Sequence, residues 1–486
     1  MSIVIAVAFA CLILLSLYLF IYQQSPSLPL PPGPKGKPIV GNLSDLPPPN
    51  TPEWRHWMKH RERYGPITSV TILGQPIIIL HDAHILATEL LEKRSLKYSS
   101  RPRSVFLGEM IGWNDTLAMQ PYNTRVRLYR KALHQILGTK TLVSKFNSLQ
   151  ELEARRLLLR MIDDPREWVQ HLKTEAGAII LKIGYGYDIN PHGRDHLVDL
   201  ADDSMETFSA VLNQTWLVDL VPCLRYLPSW LPFSFHKKAQ YWHTQLLTTI
   251  ETPYRMVKEQ MVSGIAPPSY LRNLLQEEDT KKEKSLSAEE KFTAKWTAGS
   301  LYLAGADTTV STLTTFVLSM ALNPHVQAKA QAELDNILGP YTLPKLSDRE
   351  KLPYVNAIVK ESLRWYPVAP MGLPHLCVEG DVAITHDPSI YPHPEKFDPE
   401  RFLGEKPQPD PSGWVFGFGR RVCPGRVLAD ASIFVTVGMI LSALRISLEG
   451  GRGEVRFTPG VVSHPVLDGV RLQARSQRHE GVIREV

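Results

Sequence analysis

The ten residues Phe416-Gly417-Phe418-Gly419-Arg420-Arg421-Val422-Cys423-Pro424-Gly425 constrain this chain more than any other stretch. They read as F-x-x-G-x-R-x-C-x-G. Gly419 and Gly425 let the backbone pass close to a flat group without a Cβ in the way. A helical pattern from about Gly425 to Leu444 starts just after Cys423, and the N–H groups and dipole at its N-terminus favour thiolate over thiol. Arg421, two residues earlier, can neutralise a carboxylate on a bound cofactor. An isolated cysteine at a helix start is most often a small buried hydrophobe. Five fixed positions at these spacings make a metal-ligating thiolate the better reading here.

The stretch resembles the haem-ligand loop of the cytochrome P-450 family, the haem-thiolate monooxygenases. The resemblance implies that Cys423 is the axial ligand of haem b iron, its thiolate pushing electron density that favours O–O cleavage. It also implies that Phe416, Gly419, Arg421 and Gly425 contact the cofactor.

Composition narrows the alternatives. The 486 residues carry 54 basic and 49 acidic side chains, a formal charge of +5, and no lysine or arginine run points to nucleic acid. Cys11, Cys223, Cys377 and Cys423 are scattered, without a C-x-x-C pair, which argues against a zinc site or a disulfide framework. A hydrophobic share of 43% is enough for a large core.

Ile3–Tyr22 is an uncharged apolar run of about 20 residues, the length of a membrane-crossing helix. No Lys or Arg precedes it, and Lys35 and Lys37 follow, so an anchor with the catalytic body in the cytosol is favoured over a cleaved signal peptide. Pro26, Pro29, Pro31, Pro32 and Pro34 then hold the chain extended. The expected organisation is an anchor over 1–24, a proline-rich hinge over 25–38 and a haem-thiolate domain over 39–486, in the endoplasmic reticulum membrane as a single-pass protein.

Ile67–Leu80 reads as a β-hairpin around Gly74-Gln75-Pro76. Helical patterns follow over His84–Lys93, Arg125–Leu137, Leu142–Met161, Thr174–Ile183, Leu197–Leu212 and Gln240–Met261. The longest runs from about Ala288 to Leu322, roughly 50 Å, and must cross the core. Closing strands are expected around Val455–Val461 and Val470–Leu472. The fold class is therefore mainly α with small β-sheets, and the resemblance implies the cytochrome P-450 fold with its long central helix over the haem.

Within that helix, Ala304-Gly305-Ala306-Asp307-Thr308-Thr309 combines small residues, which leave room for a ligand, with a glycine that permits a local bend, although Ala-Gly-Ala alone most often means a packing notch between helices. It resembles the family's oxygen-activation signature, in which an acid and an alcohol, here Asp307 and Thr308, relay protons. Glu361 and Arg364 lie three apart on a helix beginning near Leu352 and share a face. With Phe397-Asp398-Pro399-Glu400-Arg401-Phe402 they look like the family's E-x-x-R helix and later arginine motif, implying a buried structural triad of Glu361, Arg364 and Arg401. Arg130 and His375 sit where the family places propionate-binding residues.

Two departures from the family stand out. Val126 fills a position usually held by tryptophan, and valine has no side-chain N–H to donate. Between His375 and His386-Asp387-Pro388, about a dozen or more residues are missing, enough for a short hairpin. The resemblance is greatest to fungal members, often linked to secondary metabolism or xenobiotic oxidation.

The implied activity is insertion of one oxygen atom into a hydrophobic substrate. Phe106, Leu107, Phe208, Leu212, Val368 and Val462, near family substrate-contact regions, are all apolar. The chain has no dinucleotide fingerprint, so electrons must come from a partner, an NADPH-cytochrome P-450 reductase with cytochrome b5 as a further donor. Arg127, Lys131, Arg420 and Arg426 could form its docking face. A haem-binding protein without turnover, and a haem-thiolate isomerase or dehydratase, are the alternatives.

Overall fold

The computed structural model of the protein describes residue 13 and residues 29–48, 53–190, 193–228, 235–280, 286–376, 385–450, 455–458, 461–466 and 468–485. Apart from Ile13, the expected membrane helix lies outside these residues, as do residues 377–384 of the shortened stretch. The chain divides into two compact units. The smaller comprises Met1–Ser99, Met371–Ile384 and Phe418–Arg420, and the larger comprises Ser100–Pro370, Thr385–Gly417 and Arg421–Val486.

In the smaller unit, helix α1 (Glu53–Tyr64) packs on a hairpin of β1 (Ile67–Ile72) and β2 (Gln75–Leu80). The strands pair Ile72 with Gln75, so the turn is Leu73-Gly74, one residue earlier than expected. Both turn residues have positive φ, the geometry that matches the twist of two antiparallel strands. Trp57, Val70 and Ile79 form its small core. Ser69 fastens the proline-rich stretch to β1, its N–H donating to the Pro32 carbonyl at 2.9 Å and its hydroxyl to that of Pro31 at 2.6 Å. Pro31 and Pro32 of the expected hinge are thus held against β1.

The larger unit is mainly helical. In chain order its longer helices are α2 (Thr124–Leu137), α3 (Asn147–Asp163), α4 (Trp168–Tyr185), α5 (His196–Leu212), α6 (Phe235–Val262), α7 (Tyr270–Thr280), α8 (Ala288–Leu322), α9 (Pro324–Leu338), α10 (Pro353–Trp365) and α11 (Arg426–Ala443). The strands β3 (Leu444–Leu448) and β6 (Val470–Ala474) pair antiparallel, as do β4 (Arg456–Phe457) and β5 (Pro465–Val466), and α12 (Gln477–Arg484) closes the chain. The expected helix over Leu142–Met161 is interrupted. Thr139 caps a short helix over Lys140–Val143, and a 3-10 turn separates it from α3. The helix after Cys423 stops at Ala443 because Leu444 and Ile446 are buried and Arg445 exposed, the alternation of a strand.

Helix α8 has the boundaries expected from sequence. Ser287 and Glu290 form a reciprocal capping box at its start. Along its length it packs against α2, α4, α5, α6, α7, α10 and α11. Helix α11 is apolar nearly all round, with Ile433, Phe434, Val435, Val437, Met439, Ile440 and Leu441 at most 1% exposed. Each such side chain contributes about 1.5–3 kcal/mol by burial. Length and composition would let α11 cross a membrane, but 72% of it is buried inside the protein, which makes it a core helix.

Glu175 of α4 is buried against α11, where the Thr436 hydroxyl donates to it at 2.5 Å. Burial pushes its carboxyl up from 4.5 to about 7. A carboxyl raised by folding leaves stability complete below its unfolded value, and that stability is lost as pH rises through the folded value. Glu175→Gln should therefore melt like the parent at pH 5 and higher than the parent at pH 8, by up to about 3 kcal/mol. Thermal melts at the two pH values measure this, and an equal difference at both would exclude it.

Candidate active site

Cys423 lies three residues before the first turn of α11, and its own N–H donates to the Phe416 carbonyl at 2.7 Å, closing the loop between them. The N–H groups of Gly425 and Arg426 reach its sulfur, and the charges of Arg130 and Arg426 also favour thiolate. Burial is the larger influence and pushes the thiol up from 9.0. The helix start thus acts in the expected direction but does not ionise the thiol unaided; coordination to a metal does that outright. A Cβ at Gly425 would stand 3.9 Å from Cys423 Sγ, an ordinary van der Waals contact.

Three guanidiniums of the larger unit form a series in which Arg421 acts on Arg101, Arg130 acts on Arg421, and Arg130 acts on this sulfur. Arg421 donates to the carbonyls of Leu117 at 3.2 Å and Gln120 at 2.5 Å, Arg130 to that of Val422 at 2.7 Å, and Arg101 to that of Ala118 at 2.8 Å. Burial, with the charge of Arg421, brings Arg101 down to about 9. Burial, with the charge of Arg130, brings Arg421 down to about 10. A group bearing carboxylates would relieve that repulsion. Arg101 was not among the expected site residues. A buried arginine cannot be told from a surface one by spacing alone.

The middle of α8 carries the second candidate stretch. The helix is buried over most of Ala294–Met320, yet Ala304 is exposed and Thr308, one turn on, is partly so. The Thr308 hydroxyl donates to the Ala304 carbonyl at 2.8 Å. Gly305 behaves differently from the expectation of a bend. A Cβ there would sit 2.6 Å from Ile180 Cγ1, so the glycine is a contact point for α4 on a continuous helix. The open face belongs to Ala304 and Thr308. Asp307 is buried, its Oδ1 2.9 Å from His464 Nε2, a partner that sequence reading did not name. A sulfur met by backbone N–H groups, a helix face opened by a small residue, and a series of arginines fit a flat, carboxylate-bearing, metal-binding group.

The family model for cytochrome P450 matches residues 31–385 and 381–471. The chain belongs to the cytochrome P450 family. Its relatives include cytochrome P450 monooxygenase ppsD of Aspergillus oryzae, 43% identical over 94% of this chain and 91% of that protein, and cytochrome P450 monooxygenase CLM2 of Gibberella zeae, 42% identical with the same coverage. O-methylsterigmatocystin oxidoreductase of Aspergillus flavus is 39% identical over 94% of this chain and 90% of its own length. This cytochrome P450 is a monooxygenase, and members of the family carry haem with a cysteine thiolate as axial ligand. The family match breaks into two segments that meet at residues 381–385, within the stretch where sequence reading found residues missing.

Gly419 and His375 belong to the smaller unit of the P450. Gly419 has φ +50°, and a Cβ there would lie 2.2 Å from the Leu91 carbonyl, so no other residue fits. His375 Nδ1 is 2.5 Å from the Tyr98 carbonyl, which orients the ring. Val126, in the larger unit, is fully buried, and its N–H is taken by the Asn123 side chain that caps α2. It serves packing and capping. Phe106, Leu107, Phe208 and Val462 are buried, and Phe106 stacks on Trp216 at 3.8 Å between ring centroids. The tryptophan was not foreseen, since its contact spans more than a hundred residues.

Glu361, Arg364 and Arg401 are brought together. Arg364 donates to both Glu361 oxygens at 2.8 Å and to the Thr385 carbonyl at 2.8 Å, and Arg401 reaches the same carboxylate at 3.2 Å. Their side chains are 0%, 0% and 3% exposed. The Asp398 N–H adds a bond to Glu361 at 2.7 Å, so one carboxylate organises helix α10 and the 385–401 segment. Glu361→Gln leaves two buried guanidiniums without their anion and should cost about 3–5 kcal/mol of stability. Urea unfolding would show it, and a change below about 1 kcal/mol would mean the triad is not the scaffold it resembles.

Proposed function

We propose that this cytochrome P450 is a membrane-anchored haem-thiolate monooxygenase that inserts one atom of dioxygen into a hydrophobic organic substrate, using electrons from a separate NADPH-dependent reductase. Cys423 carries the reading, because its sulfur meets the N–H groups of Gly425 and Arg426 beside the arginine cluster. Cys423 would hold the iron. Arg101, Arg130, Arg421 and His375 would meet the propionates, while Phe416, Gly419 and Gly425 shape the loop. When bound, the haem supplies the one-electron and oxygen chemistry that no side chain provides. Asp307 and Thr308 would hold and pass the protons this chemistry consumes.

The buried apolar side chains Phe106, Leu107, Phe208 and Val462 support a hydrophobic substrate and exclude water from its site. Exposed Arg127 and Lys131 stand one turn apart on α2, and exposed Arg426 opens α11. They supply cationic residues for docking a reductase or cytochrome b5, and the smaller unit carries a further exposed cation, Arg420. Ile3–Tyr22 would anchor the chain in the endoplasmic reticulum membrane with the catalytic body in the cytosol. The Glu361 triad would act as scaffold and take no part in chemistry.

The reduced, carbon-monoxide-bound protein should absorb at about 450 nm, and Cys423→Ser should abolish that band. A band at about 420 nm in the unaltered protein, or an unchanged spectrum in the variant, would refute thiolate ligation by this residue. Thr308→Ala should keep the band and raise the hydrogen peroxide released per NADPH by about two- to tenfold, measured with added reductase. An unchanged ratio would remove Thr308 from the proton path.

A further inference from the structure

Asp307 and Ser311 lie one turn apart on α8, and both engage the segment between β4 and β5. The Ser311 hydroxyl donates to the Ser463 carbonyl at 2.6 Å, and His464 Nε2 stands 2.9 Å from Asp307 Oδ1. That segment's described residues Thr458, Ser463 and His464 are held by backbone bonds. Thr458 N–H donates to the His464 carbonyl at 2.9 Å, His464 N–H to the Thr458 hydroxyl at 2.8 Å, and Ser463 N–H to the Val368 carbonyl at 2.9 Å. The imidazole is therefore delivered to Asp307 by backbone that α8 itself helps to hold. Exposure differs across the pair, 8% for the Asp307 side chain against 24% for that of His464. The ring connects a buried acid with solvent, and Thr308, turned by about 100° along the helix, is committed to the Ala304 carbonyl.

We propose that His464 is the positioning residue of Asp307, orienting its carboxylate and returning to it, from solvent, each proton that Asp307 gives up. The proposal rests on Asp307 as the proton donor. In the step, protonated Asp307 passes its proton to a water molecule beside the open face of α8 and becomes a carboxylate. The Nε2–H proton of the His464 imidazolium then passes to Oδ1, and the neutral ring takes a proton from a hydronium ion of the solvent. Only O–H and N–H bonds change, and no electrons are transferred. A carboxylate on a buried helix face is poorly reached by water; the histidine supplies both a fixed hydrogen bond and a route for exchange.

The test uses the full-length haem-loaded enzyme in phosphatidylcholine vesicles with an NADPH-cytochrome P450 reductase and no added organic substrate. NADPH consumption and its solvent deuterium isotope effect are measured for the parent, His464→Gln, His464→Lys, Asp307→Asn and the Asp307→Asn/His464→Gln double variant. The carbon-monoxide band at about 450 nm checks that each is folded and loaded. We expect His464→Gln to slow consumption about tenfold and to raise the isotope effect, His464→Lys to recover part of the rate, and the double variant to be no slower than Asp307→Asn. Melting temperatures of the two single variants and the double variant should be non-additive, which reports the pair independently of turnover. If Asp307→Asn is slow while His464→Gln matches the parent, or if the two effects multiply and the melting shifts add, His464 does not act through Asp307 and the inference falls. If Asp307→Asn matches the parent, the reading of Asp307 as proton donor falls first, and this one with it.

Discussion

Charge inside a protein has to be met by opposite charge or by oriented dipoles, and the surroundings of Cys423 are organised by that requirement. Burial raises the thiol, so the protein can host a sulfur anion there only by surrounding it with N–H groups, cations and a metal. The helix start provides the first, Arg130 and Arg426 the second. The apolar body of α11 provides the depth, since its side chains fill the core behind the loop. Had α11 been amphipathic, the loop would stand at the surface and water would compete for the sulfur.

Arginine appears in this molecule in two different states. Arg364 and Arg401 share the Glu361 carboxylate and spend their remaining donors on carbonyls, which makes a closed network suited to holding segments together. Arg101 and Arg421 are fixed by carbonyls, and their charges disfavour one another. The first arrangement is complete as it stands. In the second, a neighbouring cation lowers the pKa of each, and an added anion would favour the charged form of both.

Local pattern accounts for what could be read from sequence. The limits of α8 follow from a capping box at one end and Asn323-Pro324 at the other, and the cysteine loop is a contiguous motif whose glycines have steric reasons, as at Gly419. The Glu361 triad joins residues forty positions apart, yet each half carries its own motif. Other features depend on contacts that no local pattern encodes. Strand β3 follows α11 without a turn, and its backbone pairs at Ile446 with the side chain of Gln327, 119 residues away. Arg101 lies in a segment of unremarkable composition, and Gly305 could not be assigned to packing before Ile180 was seen beside it. The proline-rich stretch had the composition of a spacer, but Ser69 holds part of it against a strand.

Helix α8 shows how one element can serve several purposes without compromise. At about 100° per residue, successive positions from Ala304 face different neighbours. Ala304 and Thr308 form the open face, Gly305 meets α4, and Asp307 with Ser311 holds the β4–β5 segment. A carboxylate placed on the open face beside Thr308 would be turned away from His464. On the adjacent face it keeps that hydrogen-bonding partner, and the partner has surface of its own. Separation by one residue along a rigid helix keeps acid and alcohol close while giving them different environments, and a loop or strand could not fix that angle as well.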